Sequence, residues 1–461
     1  MIRLFNVYYP VRTVVLLGGE VLLIALSFLL ALVIQMHGDW YHVSLILQIE
    51  DGFLKIFEVT LLALFCLYYF DLYDLQQLRS RGETYFRLLA VLGMLSFLLA
   101  GISYVFPGFI LGRDVFLVGI SILTLALLLW RSVYAWLLQQ PALRERVYVL
   151  GAGPRATALV QALRSRPELG MEVVGWAGAM GNGSLTREGL AGHLATISRE
   201  ARVERVIVAL SDRRGTMPVL ELLDLRFSGI AVEDATSLME KITGKISVDE
   251  LNPSWLLFSE GFRLTAAFLF ARRVLSKLIS LAVLLLVLPL IPMIVLAIKL
   301  TSPGPVLYRQ KRVGRNGKLF DCYKFRTMRP DAEADSGPTW ASDDDPRITP
   351  VGGFLRRTRL DEIPQFWNVL CGDMGFVGPR PERPEFIELL TREIPYYQLR
   401  HIIRPGVTGW AQVCFPYGAS VEEAKEKLQY DLYYIKNMSL TFDLYIIFQT
   451  VKTVLFGRGA K

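Results

Sequence analysis

Cysteine and histidine are both scarce in this 461-residue chain, with four of each. Cys66, Cys322, Cys371 and Cys414 lie far apart and form no C-x-x-C pair. That excludes a zinc ribbon or a disulfide framework and suits a reducing compartment. Only His401 falls in the last third, so a metal there is expected to take oxygen ligands, as Mg²⁺ does. No zinc-finger or RNP-type signature accompanies the basic residues, and nucleic acid is not an expected partner. A cleaved leader is not expected either. The first apolar run is too long, and no small-residue cleavage site follows it.

Apolar residues and positive charge are what the chain has. It is 52% hydrophobic with a mean hydropathy of +0.38, too high for an ordinary soluble protein, and its net charge of +7 points to phosphates or anionic lipid headgroups. Four apolar stretches fill the first third, about Val14 to Ile34, Phe53 to Phe70, Leu88 to Val105 and Val115 to Trp130. Each approaches the roughly 20 residues that a helix needs to cross a bilayer. Basic residues cluster before the first, between the second and third, and after the fourth. The connection "HGDWYHVSLILQIEDG" has none, which predicts a cytoplasmic N-terminus and a cytoplasmic continuation after the fourth span. Glu20 is expected to snorkel or to face the bundle.

From Arg146 the pattern changes to short buried strands alternating with helices, as in "RVYVLGAGPRATALVQAL", which predicts a small parallel α/β domain. Gly151 and Gly153, with Ala156, match the dinucleotide-binding fingerprint, although no ribose-binding acid follows the second strand. A tight turn and close helix–sheet packing account for the same glycines. Nucleotide binding and packing both stand at this point.

A fifth long apolar run, Val274 to Ile298, has basic residues on both flanks and Pro289 and Pro292 inside it. Both flanks favour the cytoplasmic face, and each proline removes a helical N–H. A helix that enters, breaks and returns is expected, with a kinked fifth span as the alternative. Downstream, Asn316-Gly317 signals a hairpin, with Lys318, Lys324 and Arg326 on one face of its second strand. The acid-rich stretch Asp343, Asp344 and Asp345 reads as a solvent-facing loop or a weaker ligand for metal or sugar hydroxyls.

The most concentrated charge lies in "RRTRLDEIPQ". Pro364 predicts a helix start with Asp361 at or near its N-cap, which would put Asp361 and Glu362 at the positive end of a helix dipole. Arg356, Arg357 and Arg359 stand just upstream. Adjacent carboxylates and clustered arginines fit phosphoryl chemistry. One acid would attack phosphorus, its neighbour would hold Mg²⁺, and the arginines would stabilise phosphate oxygens. Asp361 and Glu362 are accordingly the candidate catalytic and metal-holding residues. In "GDMGFVGPRPERPEF", Pro379, Pro381 and Pro384 stiffen the backbone around Arg380 and Arg383. "HIIRPGVTGWAQV" adds Arg404 in another Pro-Gly frame, and Trp410 as a base-stacking or interfacial candidate. The last two helices read as an amphipathic tyrosine-rich one and an apolar one suited to the headgroup region, or as core.

The stretches "SPGPVLYRQKRVGRNGKLFDCYKFRTM", "RRTRLDEIPQFWNVLCGDMGFVGPRPERPEF", "RPGVTGWAQV" and "YDLYYIKNMSLTFDLYIIFQTV" resemble the bacterial sugar transferases, the polyprenyl-phosphate hexose-1-phosphate transferases. They cover roughly the last two-fifths of the chain. Four preceding spans and a Rossmann-like domain resemble the long-form members that begin exopolysaccharide, capsule or O-antigen synthesis. The resemblance implies three parts: a membrane α-helical bundle (residues 1–143), an α/β Rossmann-like domain (144–253), and an α+β monotopic phosphoglycosyl transferase domain with a re-entrant membrane helix (254–461). It implies that Asp361 attacks the β-phosphate of a UDP-hexose, releasing UMP, and that undecaprenyl phosphate then takes the sugar phosphate. Glu362 would assist with Mg²⁺. Lys324, Arg326, Arg380 and Arg404 fall on the family's basic motifs; with Arg356, Arg359 and Arg383 they are the candidate phosphate contacts. The implied partners are UDP-hexose, undecaprenyl phosphate and membrane lipid, with a homodimer left open, at the cytoplasmic face of a bacterial inner membrane. One departure is Pro350 after "RIT", where many members carry a basic residue.

A different reading is a membrane-tethered NAD-dependent nucleotide-sugar epimerase or dehydratase centred on Gly151 and Gly153. It calls for a Tyr-x-x-x-Lys pair in the α/β region, and none occurs between Arg146 and Asn252. A scaffold without catalysis would have no need of the Asp-Glu, Pro-Arg-Pro and Lys-Phe-Arg motifs.

Overall fold

The computed structural model describes residues 1–74, 81–106, 108, 111–177, 202–210, 217–251, 261–262, 265–329, 332, 345–415 and 420–455. It separates into two compact units. One comprises Met1–Ile2 and Tyr9–Ala235, the other Arg3–Tyr8 and Thr236–Lys461. Asp343 and Asp344 lie outside the described residues.

A short hairpin, β1 (Ile2–Leu4) and β2 (Val7–Tyr9), opens the chain. The first unit then begins with α1 (Val11–Gln35), α2 (Trp40–Ile49), α3 (Gly52–Tyr69), α4 (Arg81–Val105) and α5 (Arg113–Gln139). The connection after the first apolar run, expected as a loop, holds α2 instead. Asp39 caps it, accepting from the backbone N–H groups of Tyr41 and His42. Ile24, Phe28, Leu67, Leu95, Leu123 and Leu127 form the bundle core, while Leu22, Leu26, Phe57, Phe97, Leu125 and Leu129 face outward. Helices apolar on both their inner and outer faces are what a lipid environment requires. Among the described residues, five helical segments are long and apolar enough to cross a membrane: Val11–Gln35, Gly52–Tyr69, Gly82–Val105, Arg113–Gln139 and Ala266–Thr301. Glu20 faces the bundle. It is fully buried and accepts from Arg131 Nε at 2.6 Å and from the Tyr73 hydroxyl at 2.5 Å.

The α/β part follows with β3 (Glu145–Leu150), α6 (Pro154–Arg164), β4 (Met171–Trp176), β5 (Arg205–Val208), α7 (Val219–Phe227) and β6 (Ala231–Asp234). The strands form one parallel sheet in the order β4-β3-β5-β6. Gly151 has φ +155, and a side chain there would collide with the Ala209 carbonyl. Close approach of the neighbouring strand end is reason enough for that glycine.

In the second unit, α8 (Ala235–Thr243) enters from Thr236 and is followed by α9 (Ala266–Val287) and α10 (Ile291–Thr301). Leu288–Leu290 forms a 3₁₀ turn between α9 and α10, so Pro289 and Pro292 sit at an interruption of the apolar segment. Strands β7 (Leu307–Val313) and β8 (Leu319–Phe325) pair antiparallel, with Val313 opposite Leu319. The hairpin is as expected but its loop is longer than two residues, running from Gly314 to Lys318 with Asn316 and Gly317 at positive φ. Next come α11 (Pro350–Arg357), α12 (Gln365–Cys371), β9 (Gly375–Val377), α13 (Pro384–Glu393), β10 (Gly406–Thr408), α14 (Trp410–Cys414), α15 (Val421–Lys436) and α16 (Leu440–Leu455). Pro350, the departure noted above, is the first residue of α11. Thr349 caps it, accepting from Gly352 N at 3.0 Å.

Tyr433, Tyr434, Leu432, Phe442 and Ile446 form the centre of this unit's core. Trp410 belongs to that core rather than to a stacking or interfacial surface. It is buried edge-on against Phe442 and donates to the Gly244 carbonyl at 2.8 Å. The hairpin residue Asn6 is part of the same unit, accepting from the Tyr433 hydroxyl and donating to the Asn437 carbonyl.

Candidate active site

Asp361 and Glu362 lie in a 3₁₀ turn, Leu360–Glu362, set between α11 and α12. Thr358 ends α11, and Arg359 then takes a left-handed conformation, φ 58, which a non-glycine residue adopts at a cost. This turn places both acids ahead of α12. Asp361 is therefore not the N-cap. Pro364 occupies that position ahead of α12, and no side-chain cap bond forms there. Side-chain cations, not a helix dipole, balance the dyad. A close approach of α11 to the strand exit holds the turn in place. A side chain at Gly352 would collide with the Thr327 carbonyl, and Arg356 Nε donates to Thr327 Oγ1 at 3.0 Å.

The two acids are both buried, at 6% and 8% exposure, but they are treated differently. Glu362 Oε1 accepts from Lys324 Nζ at 2.8 Å and from Arg380 Nη2 at 2.7 Å, and Arg359 Nη1 stands 3.9 Å from Oε2. Burial alone would raise the Glu362 pKa. Arg380, Lys324 and Arg359 outweigh it and hold the carboxyl well below its usual range. Asp361 has Lys324 Nζ only at 3.9 Å from Oδ2. Burial pushes its carboxyl up, the Glu362 charge adds to that, and Lys324, Arg356 and Arg380 only partly oppose. Glu362 is thus a fixed anion and Asp361 a strained one.

Residues that the sequence reading missed hold this geometry. Asn368 on α12 accepts from Tyr323 N at 3.1 Å and donates to the Asp321 carbonyl at 2.7 Å, which docks β8 and sets Lys324 above the dyad. The Pro-Arg-Pro loop is held through its carbonyls. Arg400 donates to Arg380 O at 3.0 Å, Arg312 to Pro381 O at 3.1 Å, and Val313 N to Glu382 O at 3.0 Å. Arg400 is itself locked between the Tyr397 hydroxyl at 2.6 Å and Asp431 at 2.9 Å. Asp431 comes from α15, whose start is fixed by the Ser420–Glu423 capping box. The signals available in the sequence were a lone Asn inside the apolar "QFWNVL" and an Asp inside a tyrosine-rich helix.

The structure brings Asp361, Glu362, Lys324, Arg359 and Arg380 together, with Arg356 near enough to act on Asp361. Other predicted phosphate contacts point elsewhere. Arg326 is buried and its Nη2 donates to Ser302, at the end of α10, through both O (2.8 Å) and Oγ (2.9 Å). Among the described residues its Nε and Nη1 find no hydrogen-bond partner. Arg383 approaches Glu385 at 3.6 Å and lies over the Phe386 ring. Arg404 lines a separate pocket with Arg273 and Arg315. Asp345 is paired with Arg347 at 2.5 Å. Arg272, read from the sequence as a membrane flank, is buried among Asp443, Tyr434 and the Val377 carbonyl.

Residues 267–457 match a family model described as bacterial sugar transferase, and residues 68–224 match one described as CoA-binding domain. A glucose-1-phosphate transferase of Escherichia coli (strain K12), UDP-glucose:undecaprenyl-phosphate glucose-1-phosphate transferase, is 35% identical over 68% of this chain and 69% of its own length. The chain belongs to the bacterial sugar transferase family. The UDP-N-acetylgalactosamine-undecaprenyl-phosphate N-acetylgalactosaminephosphotransferase of Aeromonas hydrophila is 42% identical over 50% of this chain and 54% of its own length. The undecaprenyl-phosphate glucose phosphotransferase of Komagataeibacter xylinus is 32% identical over 72% and 63%. The chain therefore spans between about half and about two thirds of these relatives. The dyad, its cations, Pro289 and Pro292 all fall within the bacterial sugar transferase match, and Gly151 and Gly153 within the other. These relatives are phosphotransferases by name, which favours transfer over the epimerase or dehydratase reading.

Among the described residues no group of three His, Cys, Asp or Glu side chains converges on one point. The dyad offers two carboxylates. Such a donor set suits Mg²⁺ only when substrate phosphate oxygens and water complete the shell, which is the usual way this ion is held.

Proposed function

We propose that this chain transfers a hexose 1-phosphate from a UDP-hexose to undecaprenyl phosphate through an aspartyl phosphosugar on Asp361. UMP and undecaprenyl-diphosphate-hexose are the products. The observation that carries the reading is the asymmetry of the dyad. A nucleophilic carboxylate needs an oxygen not tied up in hydrogen bonds, and Lys324 and Arg380 bond to Glu362 at 2.8 and 2.7 Å while Lys324 stands 3.9 Å from Asp361.

In the first half-reaction an Asp361 oxygen bonds to the β-phosphorus. The bond from that phosphorus to the bridging oxygen breaks, and its electron pair leaves with UMP. In the second, an oxygen of undecaprenyl phosphate bonds to the same phosphorus and the aspartyl carboxylate departs intact. Lys324, Arg356, Arg359 and Arg380 offset the phosphate charge, and Glu362 keeps Lys324 and Arg380 in place. Glu362 and Asp361 are the residues that would hold Mg²⁺, which when bound offsets charge on the diphosphate.

The re-entrant reading of α9 and α10 rests on anchoring. Arg272 near the start of the apolar segment and Ser302 at its end both bond to residues of the same compact unit, and α9 packs on α12 while α10 packs on α11. A straight helix through a hydrocarbon core of about 30 Å would separate those ends. With basic flanks on both sides, the dyad then lies at the cytoplasmic face of a bacterial inner membrane. Glucose, galactose and N-acetylgalactosamine are the donor sugars to compare. Incubation of the purified chain with each UDP-sugar and undecaprenyl phosphate should release UMP and form the diphosphate-linked lipid with at least one. Formation of a lipid monophosphate sugar with UDP release would refute the reading.

A further inference from the structure

A pocket of about 40 Å³ is lined by residues of α9, α12 and the segments leading into β9 and β10, and neither dyad acid lines it. Three arginines from separate elements line it. Arg273 comes from the second turn of α9, Arg315 from the β7–β8 loop and Arg404 from the segment before β10. Arg315 donates only through Nε, to the Ile402 carbonyl at 3.1 Å. Among the described residues the side chains of Arg273 and Arg404 make no hydrogen bond, and no carboxylate comes within 4.0 Å of any of the three. Arg404 shows the cost of this arrangement. Burial disfavours its charged form, Arg273, Arg315 and Arg272 add to that, and Asp373 offers only partial relief from a distance.

Freely solvated arginines would spread apart, since like charges gain nothing from convergence. Here packed backbone holds them around a concavity whose walls are Leu269, Met374 and Ile402. Planar, charged forks lining one concavity are suited to a phosphate. The place of the pocket indicates the source. Val274, Leu278, Leu281 and Leu285, which follow Arg273 along α9, are apolar and exposed, as on a helix entering lipid.

We propose that Arg273, Arg315 and Arg404 form a second anion site, distinct from the dyad, that takes a phosphate mono- or diester at the polar border of α9. A membrane-lipid headgroup is the source its position favours. The border assignment rests on the membrane reading given above, while the anion site itself rests only on the three arginines.

The test uses the full chain in phosphatidylcholine nanodiscs, with and without phosphatidylglycerol, and in detergent with inorganic phosphate. Phosphatidylglycerol is expected to raise the melting temperature of the wild type. Arg404→Gln and Arg315→Gln should each weaken the phosphate response about tenfold, the loss of one charge-assisted hydrogen bond. In phosphatidylcholine alone Arg404→Gln should melt no lower than the wild type, because repulsion is relieved. The exposed Arg273→Gln supplies a variant with little risk to folding. A response to inorganic phosphate without one to phosphatidylglycerol supports the site and assigns it a soluble phosphate. Asp361→Asn should keep the response, which separates this site from failure of the transfer reading. An undiminished response in the Arg315→Gln/Arg404→Gln double variant, or no response of the wild type to either probe, overturns the proposal.

Discussion

Glu20 in the helical bundle and the Asp361–Glu362 pair in the second unit are all carboxylates removed from solvent, yet their partners differ. Glu20 is closed off: Arg131 and Tyr73 occupy its two oxygens, and Arg131 also donates to the Leu72 carbonyl at 2.7 Å. Glu362 is matched differently: Lys324 and Arg380 both donate to its Oε1, and Arg359 stands 3.9 Å from Oε2. Asp361 is the exception, buried beside a second negative charge with its nearest cation at 3.9 Å. A matched buried carboxylate belongs to the architecture. An unmatched one stores unfavourable energy that bound substrate, or a bond to phosphorus, can release.

The largest effect that would sharpen this contrast is on turnover. Asp361→Asn should lower UMP release by about four orders of magnitude or more, since it removes the attacking atom itself. Arg131→Met should leave turnover per folded molecule unchanged but destabilise the bundle by about 3 kcal/mol, because Glu20 is left buried and unpaired. Thermal unfolding in detergent reads this, and adding Glu20→Gln should recover most of the loss. A turnover defect in Arg131→Met at full folding would break the comparison.

Asp431→Asn acts at one remove, through Arg400 on the Arg380 loop. About a tenfold loss in kcat with little change in KM is expected. Burial pushes the Asp431 carboxyl up to about 6, against Arg400 and Lys427. The wild type should therefore converge on the variant below that pH, and parallel pH profiles would argue against positioning. The smallest effect is on stability. Because the folded Asp361 pKa is raised, its ionised form costs stability at neutral pH, and the cost disappears as pH falls through that raised value toward 3.8. Asp361→Asn should accordingly melt slightly higher than the wild type at neutral pH and equally in acid. Glu362 has the opposite sign. Its contribution is present above 4.5 and is lost as pH falls through its depressed value.

Much of this was legible in the sequence because it is written in local pattern. Apolar runs of bilayer length, Pro289 and Pro292, the Asn316–Gly317 hairpin and the adjacent acids of the dyad beside Arg356 and Arg359 all announce themselves in local sequence. What escaped depends on contacts distant in sequence. Trp410 is core because Gly244 and Phe442 meet it, and Arg272 is buried because Asp443 waits on α16. Asp361 lies near the N-cap of α12 rather than at it, in a turn that follows a left-handed Arg359, a conformation that Arg rarely adopts and no motif signals. Arg404 shares the same limit. Its motif suggested phosphate, but only the fold sets it with Arg273 and Arg315 instead of beside the dyad.

Intact-protein mass spectrometry after mixing the chain with a UDP-hexose, in the absence of undecaprenyl phosphate, tests the covalent claim most directly. The account predicts one hexose phosphate added per chain with equal release of UMP, and neither in Asp361→Asn. An adduct that persists in Asp361→Asn, or UMP release that begins only when undecaprenyl phosphate is supplied, would contradict it.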